Sequence, residues 1–366
     1  MKIAILSAGL DHRKDRGYEN SSRNLFESLK KEKIQYLEVF LFKGSGKQSE
    51  NEIVLKSFID LNFLAKWGWK LIGDSYGLEY ILFALQFIIY ANRKGVKFDT
   101  IYTQEPRVSK TLFRFKRLLP GKPILVYTMG INLTPEHYIN VSDRVHLVNI
   151  EHYKAAVEAY PDAKKFYLIP NPASDSKKYS GNKLKKDLLE KYKVQTSKIV
   201  LSVGAIDAHI KRMDYVIQEV SKLDNSWSLV LCGKVYDPTL INLGVQLLGR
   251  RFINVLLPPD EVSEVYALAD IFVLSSLIEG FGNVTIEAMQ NSLPVLLHKR
   301  ELNEWIVEDI ELLVDMTKEG ALSDKIREKA SEEWLREKGE NLNLLFHTKY
   351  QWGAVKNMYL KLLEVK

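Results

Sequence analysis

The sequence predicts an α/β chain made of two doubly wound parallel-sheet halves in tandem, on three observations. Short apolar runs alternate with stretches of helical spacing from the N-terminus onward. A second series of the same kind begins near residue 198, and a stretch rich in Pro, Asn, Ser, Gly and Lys separates the two. With 366 residues, 46% hydrophobic and 27% charged, the chain buries a sizeable core, and its length favours two domains over one.

Residues 2–8 form a short apolar run, and a polar, glycine-containing loop follows through Asn20. Residues 21–33 have helical spacing through Leu25, Phe26 and Leu29, so the chain opens with a β-loop-α unit. Further apolar runs at 36–42, 100–103, 124–128 and 144–150 alternate with helical stretches, which predicts a parallel sheet covered on both faces. The longest apolar stretch, 80–91, falls short of the roughly 20 residues a bilayer span needs and reads as a core helix. The segment "YLIPNPASDSKKYSGNK" has linker composition over 170–183. This places a first domain at 1–175 and a second at 183–350. The second series has apolar runs at 198–203, 227–232, 252–257, 271–275 and 293–297. Trp352, Val355, Tyr359 and Leu362 then mark an amphipathic helix over 351–366.

A net charge of +6 is modest for this size and implies no nucleic-acid partner. Its distribution says more. Over 107–122 the chain carries Arg107, Lys110, Arg114, Lys116, Arg117 and Lys122 without one acid, interleaved with Leu112, Phe113, Phe115, Leu118 and Leu119. This is the make-up of a basic amphipathic helix, suited to an anionic membrane surface, an anionic acceptor, or simply a solvated face. Trp67 and Trp69 beside Lys66 and Lys70 make 63–73 a second candidate for peripheral membrane contact. The only cysteine, Cys232, forms no intramolecular disulfide, and the opening residues read as a strand rather than a secretion signal. The expected location is cytoplasmic, with the inner membrane face as a candidate station.

The most informative segment, 269–299, is "ADIFVLSSLIEGFGNVTIEAMQNSLPVLLHK". An apolar strand ends at Ser275 and Ser276, a turn with Gly280 and Gly282 follows, and a helix begins near Asn283, read as its N-cap. Backbone N–H groups at Gly282, Asn283 and Val284, at the positive end of a helix dipole, suit a diphosphate. Glu279 and Glu287 frame the turn, and carboxylates there pair with sugar or ribose hydroxyls rather than phosphate.

Glu279, seven intervening residues and Glu287, with Gly280-Phe281-Gly282 between, resemble the E-x7-E signature of glycosyltransferase family 4, the retaining enzymes of GT-B fold. That resemblance implies two Rossmann-like domains facing a cleft, the last helix crossing back to the first domain, and a nucleotide diphosphate-sugar held by the second. In "LSVGAIDAHIKRMDYVIQEV", Gly204 follows the strand and Lys211 and Arg212 enter the helix. The resemblance gives Lys211 the pyrophosphate, with Arg212 supplying the contact that relatives draw from an arginine where this chain has Ala205. It gives Glu279 orientation of the sugar, Glu287 the ribose, and the backbone near Leu257 the base. Gly17 in "DRGYENSSRNLFESL", before a helix starting near Asn20, matches the family's glycine loop, with Arg16 and Glu19 flanking it. Met129 stands where relatives carry a histidine.

The activity so implied is a retaining hexosyl transfer, UDP-glucose being the preferred donor and a sugar or lipid-linked saccharide the acceptor, in cell-envelope or exopolysaccharide synthesis. No Asp-x-Asp sequence and no Cys/His cluster of metal spacing occurs, so no metal or other cofactor is expected. Alternatives are a nucleotide-sugar 2-epimerase of the same fold and a degenerate scaffold, to which Met129 and Ala205 point. Ala8-Gly9-Leu10 does not continue into G-x-G-x-x-G, which disfavours a dinucleotide-dependent dehydrogenase.

Overall fold

The computed structural model describes residues 1–11, 17–55, 67–70, 73, 76–129, 133–173, 182–258 and 261–365. The chain divides into two compact units, Met1–Pro172 with Trp352–Lys366, and Ala173–Gln351. Each is a parallel sheet flanked by helices.

The first unit holds β1 (Lys2–Ser7), β2 (Glu38–Lys43), β3 (Glu52–Val54), β4 (Thr100–Thr103), β5 (Ile124–Met129), β6 (Arg144–Leu147) and β7 (Phe166–Leu168), in the order β3-β2-β1-β4-β5-β6-β7. Every pairing is parallel, and β1 is buried along almost its whole length, so its run Ile3–Leu6 is apolar on both faces. One face packs the helix Gly77–Lys94 through Tyr80, Phe83, Ala84, Phe87, Ile88 and Ala91. That helix ends where Gly95 takes a left-handed conformation and returns its N–H to the Ala91 and Asn92 carbonyls. The other face packs the helix Gly17–Lys31 through Leu25, Phe26 and Leu29, together with the C-terminal helix Trp352–Leu363. His146 of β6 is buried there; its Nε2 donates to the Ile169 carbonyl, while Tyr102 and Thr128 hydroxyls meet its Nδ1. Burial depresses its pKa to about 4, so the imidazole is neutral.

The second unit holds β8 (Lys198–Val203), β9 (Trp227–Cys232), β10 (Phe252–Val255), β11 (Ile271–Leu274), β12 (Val295–His298) and β13 (Leu313–Val314), in the order β10-β9-β8-β11-β12-β13, again all parallel. In both sheets the strand order reverses beside the first strand, between β1 and β4 and between β8 and β11. Ligands of open α/β sheets bind outside the carboxyl ends of the strands at such points.

Two expectations of local structure change. The helix expected from near Asn20 starts at Gly17, which is therefore its first residue and not a residue preceding it. The basic stretch 107–122 is not one helix: Pro106–Arg114 is α-helical, Lys116–Leu118 is a 3-10 turn, and Pro120-Gly121 ends the segment. Proline at the first helical position suits the start of the α-helical part. No described helix is long and apolar enough to cross a membrane.

Candidate functional site

The carboxyl end of the second sheet gathers the residues singled out in the sequence. After β8 the backbone passes through Gly204 at φ +145, and after β9 through Gly233 at φ +155. A Cβ on Gly233 would lie 1.8 Å from the Gly204 carbonyl oxygen, so only glycine allows these two turns to touch. The Lys211 side chain lies across Gly204, its Cε 3.2 Å from where a Cβ would stand there.

The loop that carries Lys211 is held from both ends. Asp207 Oδ1 accepts the amides of His209, Ile210 and Lys211 at 2.9, 2.5 and 3.2 Å. At its far end Ser275, just past β11, donates its hydroxyl to the carbonyls of Lys211 and Arg212, at 2.6 and 3.1 Å. Lys211 is thereby aimed at Glu279, and its Nζ forms an ion pair with Glu279 Oε1 in which both side chains are largely shielded from water.

Arg212 takes a different course. It caps the helix Met213–Ser221 in a left-handed conformation, donates to the Met316 carbonyl at 2.7 Å and stacks over the Tyr215 ring. Its guanidinium is thus engaged with the wall behind the loop.

Glu279 leads into the glycine turn. The helix that follows is Asn283–Gln290, and its N-cap is Gly282 at φ +85, not Asn283 as expected from side-chain preference; Asn283 is the first helical residue. Gly282 makes no side-chain cap hydrogen bond, and the first-turn amides of a helix form an anion site at its positive end. The turn is braced by Phe281, which is buried with its ring against Trp305 and Tyr350. Ser276 and Thr285 bring buried hydroxyls that have no hydrogen-bond partner among the described residues.

One turn into the helix, Glu287 Oε2 accepts the Tyr266 hydroxyl at 2.9 Å, and the same hydroxyl reaches the Val284 carbonyl at 3.2 Å. Burial raises the Glu287 pKa to about 7, more than the Tyr266 hydrogen bond lowers it. Cys232, the last residue of β9, is close enough for its thiol to feel Glu287; burial pushes the thiol up to about 11, against a hydrogen bond from the Leu257 backbone. Leu257 and the exposed Leu256 follow β10. Glu279, Lys211, Gly204, Gly280, Gly282, Glu287 and Leu257 therefore lie around the carboxyl ends of β8 to β11. Tyr266 and Asp207 escaped the sequence reading, and Ser275 was read only as a strand end; Asp207, two residues before His209, carried a local sign, that of an Asx turn.

In the first unit, Gly17 opens its helix, Glu19 is buried, and Arg16 and Gly130 lie outside the described residues. Met129 is buried at the end of β5. A site that sequence reasoning missed is Glu105, at the end of β4. It is 1% exposed, accepts the Ala8 amide at 2.9 Å and the Thr103 hydroxyl at 2.8 Å, and so ties the start of the β1 loop to β4.

This pair of doubly wound domains is the GT-B fold of glycosyltransferases. Residues 185–343, within the second unit, match the family model Glycosyl transferases group 1. Over 161 residues the chain is 31% identical to an uncharacterized glycosyltransferase of Methanocaldococcus jannaschii, a match covering 42% of this chain and 44% of that relative. The matched stretch thus spans less than half of the curated relative. Among solved structures, sucrose-phosphate synthase from Thermosynechococcus elongatus superposes with a TM-score of 0.76 at 19% identity, covering 100% of both chains. Anabaena HepE in complex with UDP and glucose gives 0.76 at 15% identity, also over 100% of both. The catalytic domain of starch synthase IV from Arabidopsis thaliana, bound to ADP and acarbose, gives 0.73 at 15%, over 99% of this chain and 98% of that one.

Proposed function

We propose that the chain is a retaining glycosyltransferase of family 4 that moves a hexosyl group from a nucleotide diphosphate-sugar to a saccharide or lipid-linked saccharide in cell-envelope or exopolysaccharide synthesis. One observation carries this reading: the Lys211–Glu279 pair beside the glycine-capped helix start after Gly282, with Glu287 one turn further on. UDP-glucose is the proposed donor, a choice supported by HepE, which holds UDP and glucose on the same fold.

In this reading the diphosphate takes the Lys211 ammonium and the amides of Gly282, Asn283 and Val284. Glu279, released from Lys211, accepts hydroxyls of the transferring sugar, and Glu287 accepts those of the ribose. Backbone near Leu257 borders the base. The anomeric carbon–oxygen bond to the diphosphate breaks as the acceptor oxygen bonds to the same face, and the acceptor proton leaves with a phosphate oxygen. Charge grows on the leaving diphosphate, where Lys211 and the turn amides act without a resident metal. Arg212 supports the Lys211 loop rather than touching phosphate. We further propose a cytoplasmic site of action on an anionic membrane face, reached through 107–122.

Calorimetry tests the donor assignment. Glu287→Ala should weaken UDP-glucose binding at least tenfold, and Lys211→Ala should slow turnover by about 10²- to 10³-fold. Near-normal donor affinity in Glu287→Ala would sink the ribose assignment. A thermal-shift comparison of UDP-, GDP- and ADP-sugars identifies the base, since a ligand of the folded state raises its melting temperature.

A further inference from the structure

Glu287 is held by a residue from a different helix, and that helix is itself tied down. Tyr266 belongs to the short helix Ser263–Leu268, is 2% exposed, and packs its ring against Phe272 of β11 with centroids 5.9 Å apart. Only its hydroxyl leaves this apolar setting, to reach Glu287 Oε2 at 2.9 Å and the Val284 carbonyl at 3.2 Å. A phenol has a single proton to donate, and the shorter of the two contacts is the one assisted by charge.

Polar contacts fix the short helix at its start and just past its end. Glu264 Oε2 accepts the Tyr192 hydroxyl at 2.7 Å and the Lys191 ammonium at 2.5 Å. Asp270, two residues beyond the helix, accepts the Ile199 amide of β8 at 2.8 Å and the Lys185 ammonium at 2.7 Å. The Tyr266 hydroxyl is therefore in place before any ligand arrives. Glu287 differs: its carboxylate sits on a chain of three rotatable bonds, and part of the residue faces water. Tyr266 supplies its one hydrogen bond among the described residues, so Oε1 is left as an acceptor.

This arrangement does two things. Fixing a flexible side chain in advance spares the ordering cost at binding, worth about 2- to 10-fold in affinity. Donation to the charged form also keeps Glu287 more ionised than burial alone would allow. The other titratable group whose charge it meets is the Cys232 thiol at the end of β9; burial holds that thiol and the Tyr266 phenol neutral across the neutral pH range.

We propose that Tyr266 is a positioning residue for donor binding, gripping one oxygen of Glu287 so that the other is aimed in advance at the hydroxyls of the nucleotide's sugar. This rests on the transferase reading, which gives Glu287 the ribose.

Calorimetry on the full chain tests it, with UDP, GDP and ADP as probes at pH 6.5, 7.5 and 8.5. Tyr266→Phe removes one oxygen atom and keeps the ring against Phe272. It should weaken binding of the preferred nucleotide about 3- to 10-fold. The ratio to wild type should be larger at pH 6.5 than at pH 8.5: without the donated proton the Glu287 pKa rises, and more of the carboxyl is protonated at the lower pH. Taking the ratio at each pH cancels the titration of the nucleotide itself. In the Glu287→Ala background, Tyr266→Phe should cost no further affinity, because it acts through that carboxylate. A hydroxyl that only ties two helices together would lower the melting temperature and leave affinity alone. Wild-type affinity in Tyr266→Phe, an equal loss at every pH, or a loss that persists in Glu287→Ala overturns the proposal and leaves the transferase reading standing. Unchanged affinity in Glu287→Ala alone, or no binding of any of the three nucleotides, overturns the ribose assignment and this proposal with it.

Discussion

At Glu105 burial sets the proton balance. The carboxyl accepts the Ala8 amide and the Thr103 hydroxyl, both of which favour its charged form, but the loss of water outweighs them and raises its pKa to about 7. In the unfolded chain the same group titrates near 4.5. Below that pH it is protonated in both states and its contribution to stability is complete. As pH rises toward 7 the unfolded state loses its proton while the folded state keeps it, so stability falls and then levels off. At about 1.4 kcal/mol per pH unit, the loss across this window is of order 3 kcal/mol. Urea unfolding of the first unit at pH 5, 6, 7 and 8 should show this decline, and Glu105→Gln should flatten it by about that amount. Parallel curves for the two proteins would refute the assignment. Nothing in "YTQEPRV" marked Glu105 as buried, because an acid before a proline reads as a surface helix start; only the convergence of β1 and β4 encloses it.

At the scale of elements, the legible strands were those buried in a sheet interior. β4, β8 and β9 occupy the bounds their sequence implied, since buried parallel strands read as continuous apolar runs. The strands that escaped, β3 and β13, are edge strands of two or three residues, too short for any periodicity. The site followed the same logic. Lys211, Glu279 and Glu287 were readable because one strand-turn-helix and one loop carry them, whereas Tyr266 reaches Glu287 from a separate helix. Gly282 rather than Asn283 caps its helix because the turn needs a positive φ, which outranks side-chain capping preference. The short basic helix Pro106–Arg114 and the turn after it expose Phe113, Phe115 and Leu118 among the exposed Lys110, Arg114, Arg117 and Lys122, while Lys116 is paired with Asp143 at 2.5 Å. Apolar side chains set among unneutralised cations suit an anionic lipid surface, each cation adding about 1 kcal/mol. The protein should co-sediment with phosphatidylserine-containing vesicles and not with neutral ones, and Lys110→Glu/Arg114→Glu/Arg117→Glu should abolish this. Equal binding to neutral vesicles would exclude the electrostatic mechanism.

For the whole molecule, chain order and compact unit do not coincide. The helix Trp352–Leu363 completes the first unit although the entire second unit precedes it in sequence. It does so with Val355, Tyr359, Leu362 and Leu363 packed among Ile3, Ile5, Leu25 and Val126. Tyr359 donates its hydroxyl to the Pro170 carbonyl at 3.0 Å and sets its ring edge-on to His146, with centroids 5.3 Å apart. Thr100 and Arg144 donate to the carbonyls of Leu363 and Leu362, at 2.8 and 2.6 Å. The second unit has a separate core around Val200, Leu229, Val273 and Leu296, which Tyr359 does not join. Removing the Tyr359 ring should therefore destabilise the first unit by about 3–5 kcal/mol, the usual cost of emptying a buried aromatic site. UDP, if held by the second unit as proposed, should raise only that unit's unfolding temperature. Differential scanning calorimetry of the wild type and Tyr359→Ala, each with and without UDP, separates the effects: the substitution should lower one transition and the nucleotide should raise the other. A transition that responds to both would mean that the two units unfold as one cooperative body.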